Sequence, residues 1–338
     1  MLTRVSGAAS AVAFNLSASL WFALTAAALY GIVYDLVMAW QQRRGNPTSA
    51  GTQKIARTAG FLGPLFVLIA STYEGLLEFL HAGGVFWHQG ADGTFTSKFW
   101  SWLSISDLNE APVQPFNWIP SRGSGWLWWR GSRVLQDLSM TNKHIEVIDE
   151  FPFFSYLLSD LHPHVLAMPF ALLAIGVSLN LFLGANQFLG QFRNIQAWVK
   201  NWTFWLTALI LGSLAFINTW DFPIYVGLFC FTWAYIRYQY NGWKWKVFLE
   251  FIKNGLILGI SGVVLFLPFY IGFASQAGGI LPSLEYMTKG IHFWILFGVL
   301  LIPIVWWLIH KIRQQKEQKF FARGAQITII LMLGFFLL

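Results

Sequence analysis

Long apolar runs separated by short polar loops dominate the chain. Runs of about 17 to 25 residues recur, and each is long enough to cross roughly 30 Å of hydrocarbon as a helix. They predict spans at 11–38, 59–79, 164–183, 203–217, 222–238, 248–272, 291–310 and 325–338. The expected fold is therefore all-α: a polytopic transmembrane bundle of about eight spans, forming a single membrane domain over 1–338. One long polar insertion, 80–160, interrupts it. The last run, Ile327 to Leu338, stops without a polar flank, and only Arg4 precedes the first span. Both features predict a piece of a longer protein, truncated at each end. The opening lacks the basic region, short apolar core and cleavage site of a signal peptide.

Composition agrees with the pattern. A hydrophobic content of 56%, a charged content of 11% and a mean hydropathy of +0.54 lie outside the range of soluble domains. The single cysteine, Cys230, excludes an intrachain disulfide and a multi-cysteine metal site.

Charge adds direction. The net charge of +7 is spread among short loops rather than gathered on one face, so no nucleic-acid partner is expected. Arg43, Arg44, Lys54 and Arg57 share one side with Arg193, Lys200, Arg237, Lys244, Lys246, Lys253, Lys311, Arg313, Lys316, Lys319 and Arg323. These are fifteen of the 22 basic residues, and the positive-inside rule makes that side, with loops 41–58 and 311–324, cytoplasmic. Twelve of the fifteen acids lie at or beyond the other ends: Glu74, Glu78, Asp92, Asp107, Glu110, Asp137, Glu146, Asp149, Glu150, Asp160, Asp221 and Glu285. Acids contribute little to insertion, so their gathering asks for another cause, of which function is one. The expectation is a multi-pass integral protein of the plasma membrane, with its active face, including 80–160 and 274–290, outside.

Four constellations carry candidate chemistry. Asp160-Leu-His162-Pro-His164 immediately precedes an apolar run, at a membrane mouth. Pro163 favours a helix start and pushes His162 towards an extended conformation, so that Asp160, His162 and His164 alternate onto one side. Such a trio suits a divalent metal (Mn, Mg or Zn), or a carboxylate base with cationic partners for phosphate. The alternative is that Asp160 caps the helix while the histidines sit at the interface. In Asn218-Thr-Trp220-Asp221-Phe-Pro223, a very short turn between two apolar runs, Asp221 faces the same compartment as Asp160, or merely caps the helix that follows.

Glu74, Glu78 and His81 share one helical face. A cation or a shared proton relieves their repulsion, unless water does so at a solvated helix end. The insertion holds Trp87, Trp100, Trp102, Trp118, Trp126, Trp128 and Trp129. That content predicts amphipathic helices lying on the membrane lipids as an aromatic belt, with stacking on sugar rings as the alternative. In Trp128-Trp129-Arg130-Gly-Ser-Arg133, two guanidinium groups are placed to clamp a phosphate or diphosphate, or to contact lipid headgroups. The absence of a P-loop, a dinucleotide fingerprint and a nucleophile elbow disfavours ATP-driven transport by this chain alone.

Glu150-Phe-Pro-Phe-Phe-Ser155, Asp160-Leu-His-Pro-His164, Asn218-Thr-Trp-Asp-Phe-Pro223, Tyr73-Glu-Gly75, the Trp-Trp-Arg-Gly-Ser-Arg stretch and Ala11-Val-Ala-Phe-Asn15 together give a resemblance that spans nearly the whole chain. It resembles the YYY-domain family of uncharacterised polytopic membrane proteins, which looks like a member of the GT-C superfamily of membrane glycosyltransferases. The resemblance implies a sugar donor carried on polyprenyl phosphate and carboxylate chemistry at the outer membrane face. Asp160, His162, His164, Asp221 and Glu74 are then the catalytic candidates, and Arg130, Arg133, Glu150, Asn218 and Trp220 the substrate-binding ones. The family's tyrosine triplet and the first acidic loop of GT-C enzymes are expected upstream of Met1, so Asp160 is either the base or a second acidic site.

The leading functional expectation is a glycosyltransferase in which a carboxylate deprotonates the acceptor while arginine or a metal steadies the leaving lipid phosphate. A transporter or flippase would instead place charges near the bilayer midplane. A metal-dependent membrane hydrolase would rest on Asp160, His162 and His164 alone.

Overall fold

The computed structural model describes residues 4, 6–46, 48–70, 72–120, 127–139, 141, 143–191, 194–274, 286–314, 324, 326 and 330. In chain order the helices are α1 Ser10–Arg43, α2 Ala50–Gly60, α3 Glu74–Ala82, α4 Lys98–Leu103, α5 Leu127–Gly131, α6 Pro152–Leu157, α7 Pro163–Leu183, α8 Ala185–Gln191, α9 Ile195–Val199, α10 Trp202–Ile217, α11 Asp221–Asn241, α12 Trp245–Leu265, α13 Leu267–Tyr270 and α14 Gly290–Gln314. Among the described residues, five short strands accompany them: β1 His88–Gln89, β2 Phe95–Thr96, β3 Gln136–Ser139, β4 His144–Glu146 and β5 Tyr286–Thr288. The chain is mostly helical, but the all-helical expectation has to admit these strands.

Among the described residues, four helices are long and apolar enough to cross a membrane: α1, α7, α12 and α14. Large apolar side chains such as Leu16, Ile260 and Trp306 stay exposed along them, as a hydrocarbon surround permits. The run expected at 59–79 is not one continuous helix. After Pro64 the backbone passes through a π-helical turn, Leu65–Ile69, and helix resumes only at Glu74. It supplies a fifth crossing only if the two pieces span as one. At 16 residues α10 is shorter than a usual span. The less apolar α11 carries Asp221, Arg237 and Gln239. The run expected at 325–338 falls almost wholly outside the described residues.

The chain divides into two compact units. The first comprises 1–69 and 155–275, the second 70–154 and 276–338.

In the first unit α7, α10, α11 and α12 surround a core built from Ala174, Leu181, Trp198, Phe204, Leu211, Phe229, Trp233 and Leu258. Side-chain caps from Asn194 and Asn201 start α9 and α10. They hold Trp198 where it stacks on Phe229, ring centroids 5.4 Å apart. The three-residue turn 218–220 sends α11 back antiparallel to α10. Between α10 and α12 the backbones meet at two glycines. A Cβ added to Gly212 would lie 2.9 Å from the Gly262 Cα, and one added to Gly262 would lie 3.0 Å from the Phe222 ring. Only hydrogen at these positions lets the helices close, and the contact seats the first turn of α11, where Asp221 sits. On α1, the Trp21 indole donates to the Leu166 carbonyl at 2.9 Å, and Thr25 meets the Tyr156 hydroxyl at 2.8 Å.

In the second unit much of the long insertion folds around Trp100, Leu103, Ile105, Leu108, Val134 and Ile295. Trp100 is fully buried and its indole donates to the Val85 carbonyl at 2.9 Å. Trp87 is packed against the same core, whereas Trp102, Trp118 and Trp129 are exposed; Trp126 and the Trp128 side chain lie outside the described residues. Helices α4 and α5 of the insertion have six and five residues. β3 lies between β4 and β5, antiparallel to both, with Asp137 opposite Thr288.

Candidate functional site

In the first unit the candidate residues gather at the starts of α7 and α11, which pack against one another. Pro163 occupies the first turn of α7 and His162 is extended, with φ −60° and ψ 158°. His162 itself is the N-cap residue and no side chain caps the helix. Asp160 is thus not the cap; its Oδ2 lies 3.1 Å from His162 Nε2, with both side chains about half exposed. The His164 ring centroid is 5.9 Å from that of His162. Its Nε2 lies 3.3 Å from Ser155 Oγ on α6.

Asp221 is not a cap either. Trp220 holds the N-cap position of α11 without a side-chain hydrogen bond, and Asp221 is the acid of the first turn. Its carboxylate accepts a hydrogen bond from the Asn218 side chain and stands within electrostatic reach of His164. The Asp221 amide donates to the Asn218 carbonyl at 3.0 Å, which fixes the turn. Trp220 is exposed.

The arrangement is two neighbouring acid–imidazole pairs: Asp160 with His162, open to the surroundings, and Asp221 with His164, set deeper. A carboxylate beside an imidazole orients the ring, which equips it for proton transfer. Asp160 and His162 also present two groups of the kind a divalent cation takes, while His164 turns to Ser155 and Asp221. Ring nitrogens of His162 and His164 also lie within 4.8 Å of one another, so the two imidazoles can face one cation.

In the second unit Glu74, Glu78 and His81 do share one face of α3, and all three are buried. The solvated helix end is overturned. Arg130 supplies the relieving cation, its Nε 2.6 Å from Glu78 Oε1. His81 Nε2 lies 2.7 Å from the Glu110 carbonyl. Arg133 bonds Ser132 Oγ at 2.6 Å and lies over the Trp129 ring, 4.2 Å from its centroid. Glu150 is half-buried just before α6. Glu74, Arg130, Arg133 and Glu150 thus belong to the second unit, and Asp160, His162, His164, Asn218, Trp220 and Asp221 to the first.

Three residues with a part in these arrangements escaped the sequence reading. Ser155 ends the Glu-Phe-Pro-Phe-Phe-Ser motif, and its hydroxyl gave no signal by itself. Asp149 is buried and accepts the amides of Val134 and Leu135 at 3.3 and 3.4 Å. Burial pushes its carboxyl up to about 6, with the two amides and Arg133 pulling the other way. His292 is fully buried; its Nδ1 accepts the Gln136 amide at 3.3 Å, so Nε2 carries the proton that faces the Leu103 carbonyl at 2.8 Å.

Apolar helices of spanning length, with polar groups collected at helix starts, define a multi-pass helical membrane protein. More particularly, the chain matches over residues 1–338 the model of a family described as uncharacterised membrane protein, DUF2298, and it belongs to that family. No curated protein and no solved structure matches it. The comparisons thus bear out a family of uncharacterised membrane proteins and lend no support to the GT-C likeness.

Proposed function

We propose that the chain carries the acid–base site of a membrane glycosyltransferase that takes sugar from a polyprenyl-phosphate donor. The supporting observation is the pair of acid–imidazole couples at the starts of α7 and α11, neither acid being used as a helix cap. In the proposed reaction the Asp160–His162 couple takes the acceptor's hydroxyl proton as its oxygen bonds to the sugar anomeric carbon. The bond from that carbon to the phosphate oxygen breaks, and polyprenyl phosphate leaves. His164, beside the Ser155 hydroxyl and within electrostatic reach of Asp221, meets the charge developing on the phosphate.

The proposal keeps the finer topology drawn from charge: about eight crossings, with α10 and α11 crossing as a hairpin, in the plasma membrane. The starts of α7 and α11 face outward, with the donor reached from the lipid. Arg133 lies in the second unit, over the Trp129 ring, and is given no part in this step. Arg130, occupied by Glu78, acts by positioning.

The test is sugar transfer from a polyprenyl-phosphate donor in liposomes. Asp160→Asn and His162→Ala should each lower turnover by roughly 10²-fold, the scale of a lost general base. Folding should persist, because both side chains are half exposed and neither caps the helix with its side chain. Wild-type turnover in Asp160→Asn would sink the acid–base reading. Substrate-dependent uptake into vesicles without transfer would favour the transporter.

A further inference from the structure

At the far end of α11 from Asp221, the first unit has a second feature. A cleft of about 390 Å³ opens between α11 and α12, lined by Phe231, Tyr235 and Tyr238 on one side and Val247, Phe248 and Phe251 on the other, with Trp243 at its mouth. The volume lies in the range of small-ligand sites. Its walls are aromatic and aliphatic, and α12 is one of the four helices able to cross a membrane.

The mouth is basic. Lys244 and Lys246 stand in the chain between Trp243 and Val247, both lining residues, and both lysines are exposed. The neighbouring Arg237 is spent on Glu250, 3.3 Å away. The two exposed lysines thus neighbour lining residues in the chain and can meet an anion from outside. The first turn of α12 has no acid and no side-chain cap, so its amide dipoles add to the same field.

We propose that this cleft binds one acyl chain of an anionic phospholipid, with the phosphate held by Lys244 and Lys246. An apolar slot whose lining residues Trp243 and Val247 are flanked in the chain by two exposed lysines matches the two halves of such a lipid. Basic pockets between spanning helices recognise anionic headgroups in this way. Length favours a phospholipid over the polyprenyl phosphate of the proposed donor. From Phe231 to Tyr238 is seven helical steps, roughly 10 Å at 1.5 Å each, which suits part of one acyl chain and little of a long isoprenoid.

Native mass spectrometry of the full chain in detergent tests the site, with phosphatidylglycerol, phosphatidylcholine and polyprenyl phosphate added in separate arms. Phosphatidylglycerol should be retained about tenfold better than phosphatidylcholine, the scale expected for two lysines at a membrane surface. Lys244→Gln with Lys246→Gln should abolish that preference while leaving the thermal midpoint unchanged. Ala234→Leu, which narrows the cleft, should weaken retention of both phospholipids. Equal retention of the two phospholipids, an unaltered preference in the double lysine variant, or stronger retention of polyprenyl phosphate would overturn the proposal. None of these outcomes depends on glycosyl transfer.

Discussion

The Arg130 guanidinium lies 2.6 Å from the Glu78 carboxylate, and both groups are buried in the second unit. The pair explains how α3 keeps Glu78 on its inner face. Glu78 is neutralised by a cation from a separate helix, α5, roughly fifty residues further along the chain.

Removing Arg130 leaves Glu78 buried without this cation, at a cost of roughly 3 to 5 kcal/mol. Arg130→Ala should therefore lower the thermal midpoint in detergent markedly. The double variant Arg130→Met with Glu78→Leu should recover much of the loss, since an apolar pair of similar volume leaves no charge behind. Additive losses in the double variant would show that the two residues act separately.

Asp149 predicts a pH dependence of known sign. Its folded carboxyl titrates near 6, above its ordinary 3.8, so the folded state holds the proton more tightly. Its contribution to stability is therefore full below the unfolded value and is lost as pH rises through about 6. Asp149→Asn removes the titration. Thermal midpoints of the two proteins, measured between about pH 4 and 7, should diverge with rising pH in favour of the variant. Parallel curves would show that Asp149 does not titrate in this window.

Orientation follows from the loop charges and can be read by labelling. Cys230 is buried, so introduced cysteines report with little background. A cysteine replacing Ala111 should react with an impermeant reagent in intact cells, and one replacing Lys54 should not. The reverse pattern would invert the proposed topology.

The membrane class was legible because a span announces itself by apolar length alone, and α1, α7, α12 and α14 lie close to the expected runs. Pro163 likewise announced the start of α7. Hydropathy counts side chains and not backbone turns, so it could not show the π-helical turn that ends the run at Ile69. At the site, Asp160 and Asp221 have the residue type of caps and stand near helix starts. Which residue is the N-cap depends on one backbone angle, and here His162 and Trp220 take that place. In the long insertion, tryptophan content suggested an interfacial belt. Trp100 is instead in a folded core, completed by Ile295 from almost 200 positions away, a distance over which local pattern is silent. The Arg130–Glu78 pair was half legible: two like charges on one face required a cation, and only the fold says which.

The division of the chain has a consequence for the order of events at the ribosome. Residues 70–154 emerge before the partners that complete their unit, because β3 acquires its β5 edge only when 286–288 have been made. The earlier unit is delayed in the same way, since α1 waits for α7 to emerge after the whole insertion. Neither half can finish in the sequence in which it is synthesised, and β3 must spend the interval with an open edge. An unpaired strand edge of that kind is a template for pairing with another chain until residues 286–288 arrive to cover it.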